Sequence, residues 1–354
     1  MTKSRSSKIV LIAVGALFGI VVLLATAAAL VLRVNVKPRV EAIASEALGM
    51  EVHVVGRLAI GFLPGLHVAL ADVHLRRRGA EVASAGEVDL GVELLPLLHR
   101  ELRTDRIELK RLTIAIERDY DGRLNIDALS EGNGSLPPLD VARVSVSDAT
   151  LAYEDKQSGK GFEAARCNLD VSRLRLSAGK RSDLLKNLSI DARLACGQIR
   201  TKDSAASDLR LSVDGQGGIL RFEPVTMRLF GGQGSGDVRA DFTGSVPTYR
   251  VHYRLTQFRL EEFFRNLSPR SIGEGSMDFA ATLSLGGETP GALLPTVAGA
   301  VSLRGDNLRL AVGDLDQKLS RYESSQSFNL IDVGAFFFAG PLGLAVTKGY
   351  NFAR

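Results

Sequence analysis

The residues of this chain whose types could do chemistry are five histidines, two cysteines and a few close-set acids. His53, His67, His74, His99 and His252 could act as general acids or bases, but no motif pairs them with a serine, cysteine or carboxylate. Most of them read as surface positions. Asp314 and Asp316 in "GDLDQK" (313–318) repeat the Asp-x-Asp of some metal-dependent glycosyl transferases, without the strand-helix unit that would hold a nucleotide. Asp119, Asp121 and Asn125 have the spacing of a calcium loop, yet the twelfth-position Glu is missing, and Asp121-Gly122 is a hairpin turn signal. "GGQGSG" (231–236) matches neither phosphate-loop spacing and is followed by a strand pattern, so it reads as a glycine-rich hairpin. Cys167 and Cys196 have neither metal spacing nor a C-x-x-C arrangement. An oxidising compartment would permit a bridge between them, and as free thiols they suit semi-buried strand positions at least as well. The expectation is a non-enzyme with no catalytic residue, no metal and no cofactor.

The elements that carry these residues are strands. In "GEVDLGVELL" (86–95), Val88, Leu90, Val92 and Leu94 share one parity, while Glu87, Asp89 and Glu93 take the other. Side chains on a strand alternate between faces, so this is a ribbon with one apolar and one wetted side. Leu112, Ile114 and Ile116 repeat the pattern, as do Val251, Tyr253 and Leu255. Many such strands predict a large antiparallel sheet, and its apolar face needs a cover. Short helical stripes appear at Val40–Leu48, Leu260–Leu267 and Leu315–Tyr322, too little to hide a dozen strands. Either the sheet folds on itself as a sandwich or it curls into a trough with lipid-sized contents.

The chain has 354 residues, 45% of them apolar, which is enough for a substantial buried face. Net charge is +4 with basic and acidic residues interspersed, and the one dense cluster, Arg76–Arg78, precedes a turn glycine. No stacking aromatics flank it, so no nucleic-acid partner is expected.

Residues 9–32 carry no charge, and at 1.5 Å per residue they are long enough to cross roughly 30 Å of hydrocarbon. The small residues at 25–29 would suit a cleaved signal peptide, but the apolar stretch exceeds the usual core of such peptides, which favours an uncleaved anchor. Charges on its two sides nearly balance and leave its orientation open. The predicted organisation is a tail at 1–8, a transmembrane helix at 9–32, an amphipathic helix at 33–49 and a first strand block at 50–130. A Gly, Ser and Pro-rich linker at 131–140 separates that block from a second at 141–312, and 313–354 is a partial C-terminal region.

The chain resembles the AsmA family of Gram-negative bacteria over nearly its whole length. The resemblance rests on the anchor followed by "EALGMEVHVVGRLAIGFLPGLHVALADVHLRRRG" (46–79), on "GEVDLGVELLPLLHRELRTDRIELKRLTIAIERDYDGRLNID" (86–127), and on the later "FGGQGSG", "YRVHYRL" and "SMDFAATLSLGGETPGALLPTVAGAVSLRG" blocks. It implies an inner-membrane protein with a cytoplasmic N-terminus and its bulk in the periplasm. It further implies a long curled, groove-like sheet that shields phospholipid or another long-chain lipid and supports outer-membrane biogenesis. On that reading Val88, Leu90, Val92, Leu94, Leu112, Ile114, Ile116, Val251, Tyr253 and Leu255 would line the groove. Relatives continue beyond "FFFAGPLGLAVTKGYNFAR", so a truncated product or a C-terminal part encoded elsewhere is expected. The rival expectation is a periplasmic scaffold for outer-membrane proteins that works through its strand edges without moving lipid.

Overall fold

The computed structural model describes residues 36–61, 66–77, 79–92, 104–126, 135–136, 139–180, 183–202, 204–265, 273–288 and 290–310. The expected membrane helix at 9–32, the stripe at 315–322 and Leu94 lie outside them. Among the described residues no helix is long and apolar enough to cross a membrane.

The strands of the N-terminal part are β1 (Glu51–Val54), β2 (Leu58–Gly61), β3 (Leu66–Arg77), β4 (Ala80–Val92) and β5 (Thr104–Arg118). Then come β6 (Ser135–Leu136), β7 (Leu139–Val141), β8 (Arg143–Asp155), β9 (Lys160–Leu176) and β10 (Gly179–Lys180). A meander follows: β11 (Leu188–Thr201), β12 (Ala205–Gln216), β13 (Ile219–Leu229), β14 (Gly232–Asp241), β15 (Thr248–Arg259), β16 (Gly273–Gly286) and β17 (Ala298–Leu310). Fifteen of these strands form one sheet, in the order β1-β3-β4-β5-β8-β9-β11 and then in sequence to β17, with β2 beside β3 and β7 beside β9. The path does not close, because β1 and β17 are its two ends. The short strands β6 and β10 pair with each other outside it, and the architecture is therefore mainly β, one long curled open sheet with a two-strand side sheet.

The helices are short: α1 (Val36–Leu48), α2 (Leu184–Asn187), α3 (Leu260–Arg265) and α4 (Pro290–Leu293). Gly49 at φ 62° ends α1 in the left-handed conformation that glycine adopts without a Cβ penalty. α1 caps the β1 end of the sheet. The Val52 amide donates to Ser45 Oγ at 2.9 Å and the Val54 amide to Glu41 Oε1 at 2.7 Å, so helix side chains occupy donors that a bare edge would present.

The sheet departs from the expected antiparallel pattern once. β5 and β8 run parallel, Arg106 against Arg143 through Arg118 against Asp155. A parallel pair requires the chain to return along the sheet between its two strands. The turn at 119–126 begins that return, and Asn125 secures it by accepting the Glu117 amide and donating to the Ala115 carbonyl. At the far end of the parallel pair, Arg118 and Asp155 make a 3.1 Å ion pair, the only buried charged side chains among the described residues. Asp155 also accepts the amides of Gln157 and Ser158, which closes the β8–β9 hairpin.

Candidate functional site

Strand register collects the apolar side chains on one face. Val88 and Leu90 of β4 stand opposite Leu109 and Ile107 of β5, and these stand beside Val146 and Val144 of β8. All six are buried, Ile107 and Val144 completely. The other face is charged: Glu87 accepts hydrogen bonds from Lys110 at 2.9 Å and Arg111 at 3.2 Å, and these donors hold its carboxyl below the usual carboxylate range.

Strict alternation would put Leu109 and Leu112 on opposite faces, yet both are buried in one cluster while Lys110 and Arg111 between them are exposed. The cause is Arg111 itself, whose φ of 52° lies in the left-handed region and turns two successive side chains outward. Asp72 on β3, Asp148 on β8, Arg166 on β9, Asp208 on β12 and Gln257 on β15 have φ between 52° and 55°. These kinks line up across strands. Register places Gly86 between Asp72 and Arg111, and Gly197 between Arg166 and Asp208. In each triple a glycine sits where the flanking strands carry an acid and an arginine, both left-handed. The left-handed residue bends each strand that carries one and swaps its parity there, so the apolar side chains on the two sides of the kink share a face.

The expected groove residues fall into two groups. Val88, Leu90, Leu112 and Ile116 belong to one apolar cluster, with Ile114 packed against it, and this cluster extends to α1 through Ala44. Tyr253 and Leu255 belong to a second cluster with Phe258, Phe279 and Phe230, while Val251 is buried nearby on β15. Val92 lies in β4. Ala149 and Leu151 of β8 pack against both clusters and join them.

Glycines 232, 234 and 236 of β14 bring no side chains to this face, and β15 fills the space. A methyl group on Gly234 would collide with the Tyr253 hydroxyl, and one on Gly232 would lie 2.8 Å from the Phe258 Cα. Burial pushes the Tyr253 hydroxyl pKa well up, so the group stays neutral on this wall. The glycine run is thus a seat for aromatic rings, within the hairpin that its composition predicted.

Among the described residues, the wall is open at the β17 end. Val301 and Leu303 stand opposite the buried Ala281 and Phe279, but are themselves 44% and 56% exposed, and Leu308 is exposed as well. Sequence reading missed these three residues, although Val301 and Leu303 in "AVSLRG" carry the same alternation that marked the other strands.

The structure joins Cys167 and Cys196 in a disulfide between directly opposed residues of β9 and β11, resolving the choice that spacing left open. His74 pairs with Glu81 at 3.0 Å and His252 with Asp237 at 2.9 Å, each with one carboxylate on the outer face. Among the described residues no group of three His, Cys, Asp or Glu could hold a metal ion. What the arrangement can do is shield hydrocarbon from water.

The sequence model of the AsmA family matches residues 3–184 and 175–329. No curated protein matches the chain.

Proposed function

Since this chain belongs to the AsmA family, we propose that it is an inner-membrane-anchored protein whose sheet lies in the periplasm and carries phospholipid or another long-chain lipid along its apolar face, supporting outer-membrane biogenesis. One observation carries the reading: an open, curled sheet with one continuous apolar face that ends in exposed Val301 and Leu303. An acyl chain crosses water only when shielded, at about 0.8 kcal/mol per methylene, and such a wall supplies the shield without a catalytic group. The residues of both clusters are buried, so in this reading cargo meets the wall first at the exposed Val301, Leu303 and Leu308 of β17. The Cys167–Cys196 disulfide favours an oxidising compartment such as the periplasm. The uncharged stretch at 9–32 supplies the anchor in this reading.

The test places a photoreactive amino acid at Leu303, or at Ser302 on the opposite parity, in the full chain in bacterial cells, and identifies the adducts by mass spectrometry. Lipid adducts from position 303 and none from 302 are expected. An absence of lipid adducts at 303 would overturn the reading.

A second reading has its own observation. α1 side chains occupy the β1 edge, whereas β17 has no further strand beside it among the described residues. Such an edge can take a strand from an outer-membrane protein during assembly. Protein adducts at 303, in place of lipid, would move the conclusion there.

A further inference from the structure

The disulfide occupies a particular place in the wall. β9 and β11 pair without a break from Ala192–Val171 to Cys196–Cys167. On one side this run begins at a register shift between Asp191 and Ala192, and on the other it stops at the kink, where Arg166 and Gly197 face each other without a ladder pair. The bond therefore links the last paired residues before the kink. It also sits where the two apolar clusters meet: Val171 and Ala192 belong to the first, Cys167 and Cys196 to the second. Both sulfur-bearing residues are buried, at 7% and 4% exposure.

We infer that the Cys167–Cys196 bond is a clamp on the bend of the wall, holding β9 to β11 beside the interrupted pair so that the two apolar clusters remain one continuous surface. A ladder interrupted twice within a few residues opens locally more readily than an unbroken one, and a covalent cross-link at its weak end suppresses that opening. When the bond forms, the two thiols give up two protons and two electrons to a disulfide-containing oxidant, which is reduced to its dithiol. The clamp does not require lipid as cargo; it shares with the proposed function only the oxidising compartment.

The competing account is loop closure, in which a bond between residues 29 apart stabilises the whole fold by restricting the unfolded chain. Hydrogen exchange on the full-length protein in detergent separates the two. The samples are the native chain, the C167A/C196A variant, and the native chain reduced with a phosphine, in which water supplies the oxygen of the phosphine oxide and two thiols are released. The reduced sample keeps the test open if the variant fails to fold.

The expected result is exchange about tenfold faster at residues 164–171 and 192–199, with β15 and β16 unchanged. Unchanged exchange at those residues, or equal acceleration over the whole sheet, would overturn the clamp. Mass analysis of unreduced peptides from cells comes first. Free thiols there would count against both the clamp and the oxidising compartment, whereas an intact bond with unchanged local exchange would count against the clamp alone.

Discussion

Arg166 on β9 faces Gly197 on β11, and a methyl group on that glycine would lie 2.8 Å from the Arg166 Nε. The same relationship recurs in the first strand block, where a methyl group on Gly86 would lie 2.6 Å from the Arg111 Nε. In both places the arginine is left-handed and leans over a residue without a side chain. At these two places the kink is thus built from paired choices on neighbouring strands, one strand bending where the other leaves room.

That construction makes Asp148 sensitive to shape rather than charge. Its φ of 53° suits glycine or a short polar residue and opposes a β-branched one, and its amide donates to Asn168 Oδ1 at 3.1 Å. Asp148→Val is expected to cost about 1–2 kcal/mol, with Asp148→Gly close to neutral, measured by urea denaturation. Equal losses for both would show that the carboxylate, not the backbone, matters there.

The glycine seat under the aromatic rings gives a second prediction. A Cβ on Gly236 would strike the His252 carbonyl and lie 3.0 Å from the Tyr253 Cα, and neither backbone atom can move without shifting β15. Gly236→Ala should lose roughly 2–4 kcal/mol by thermal or chemical melting. Gly217 has open space around it and φ 58°, so Gly217→Ala should lose only about 1 kcal/mol, the left-handed penalty alone.

Removing one partner of the Arg118–Asp155 pair strands a buried charge. Arg118→Met is expected to destabilise by about 3–5 kcal/mol. The exposed Arg200–Glu163 pair at 3.5 Å should cost less than about 1 kcal/mol when Glu163 becomes Ala. Comparable losses at the two sites would contradict the special role assigned to the end of the parallel pair.

Acid should erase the contribution of Glu87. Its hydrogen bonds from Lys110 and Arg111 lower its folded pKa below the ordinary 4.5, so the unfolded chain takes up the proton first as pH falls. The stabilisation is complete above the unfolded pKa and disappears as pH drops through the folded one. Lys110 is shifted up by the same hydrogen bond, so its share is present below the ordinary 10.5 and is lost as pH rises through its higher folded value. The stability difference between the native chain and Glu87→Gln should therefore be flat near neutrality, vanish in acid and shrink in alkali to the share held by the still-charged Arg111, read from melting curves across pH. A constant difference down to the lowest pH would refute the assignment.

Much of this molecule was legible before any coordinates. Alternation in "GEVDLGVELL" places Val88 and Leu90 on an apolar face because a strand has period two, and the thin supply of helix implies that helices alone cannot cover that face. The turns at Asp121-Gly122 and in the glycine-rich hairpin follow from local backbone preference, and α1 follows from Pro38, its apolar stripe and Gly49. Local rules suffice where neighbours in sequence decide the conformation.

Other features depend on partners far along the chain. Parity in "LKRL" separates Leu109 from Leu112, and only the left-handed Arg111 opposite Gly86 returns both to one face. The parallel alignment of β5 with β8 depends on the return path between them and is sealed by Arg118 meeting Asp155, 37 residues apart. Cys167 and Cys196 carry no spacing that announces a bond, because their pairing is set by the register of two long strands. The sequence by itself determined the type of each element and the oily side of most strands, since those follow from short-range periodicity. Tertiary structure alone decided which strands adjoin, where they bend and which apolar residues of β17 are exposed, since those depend on contacts that close only when distant segments meet.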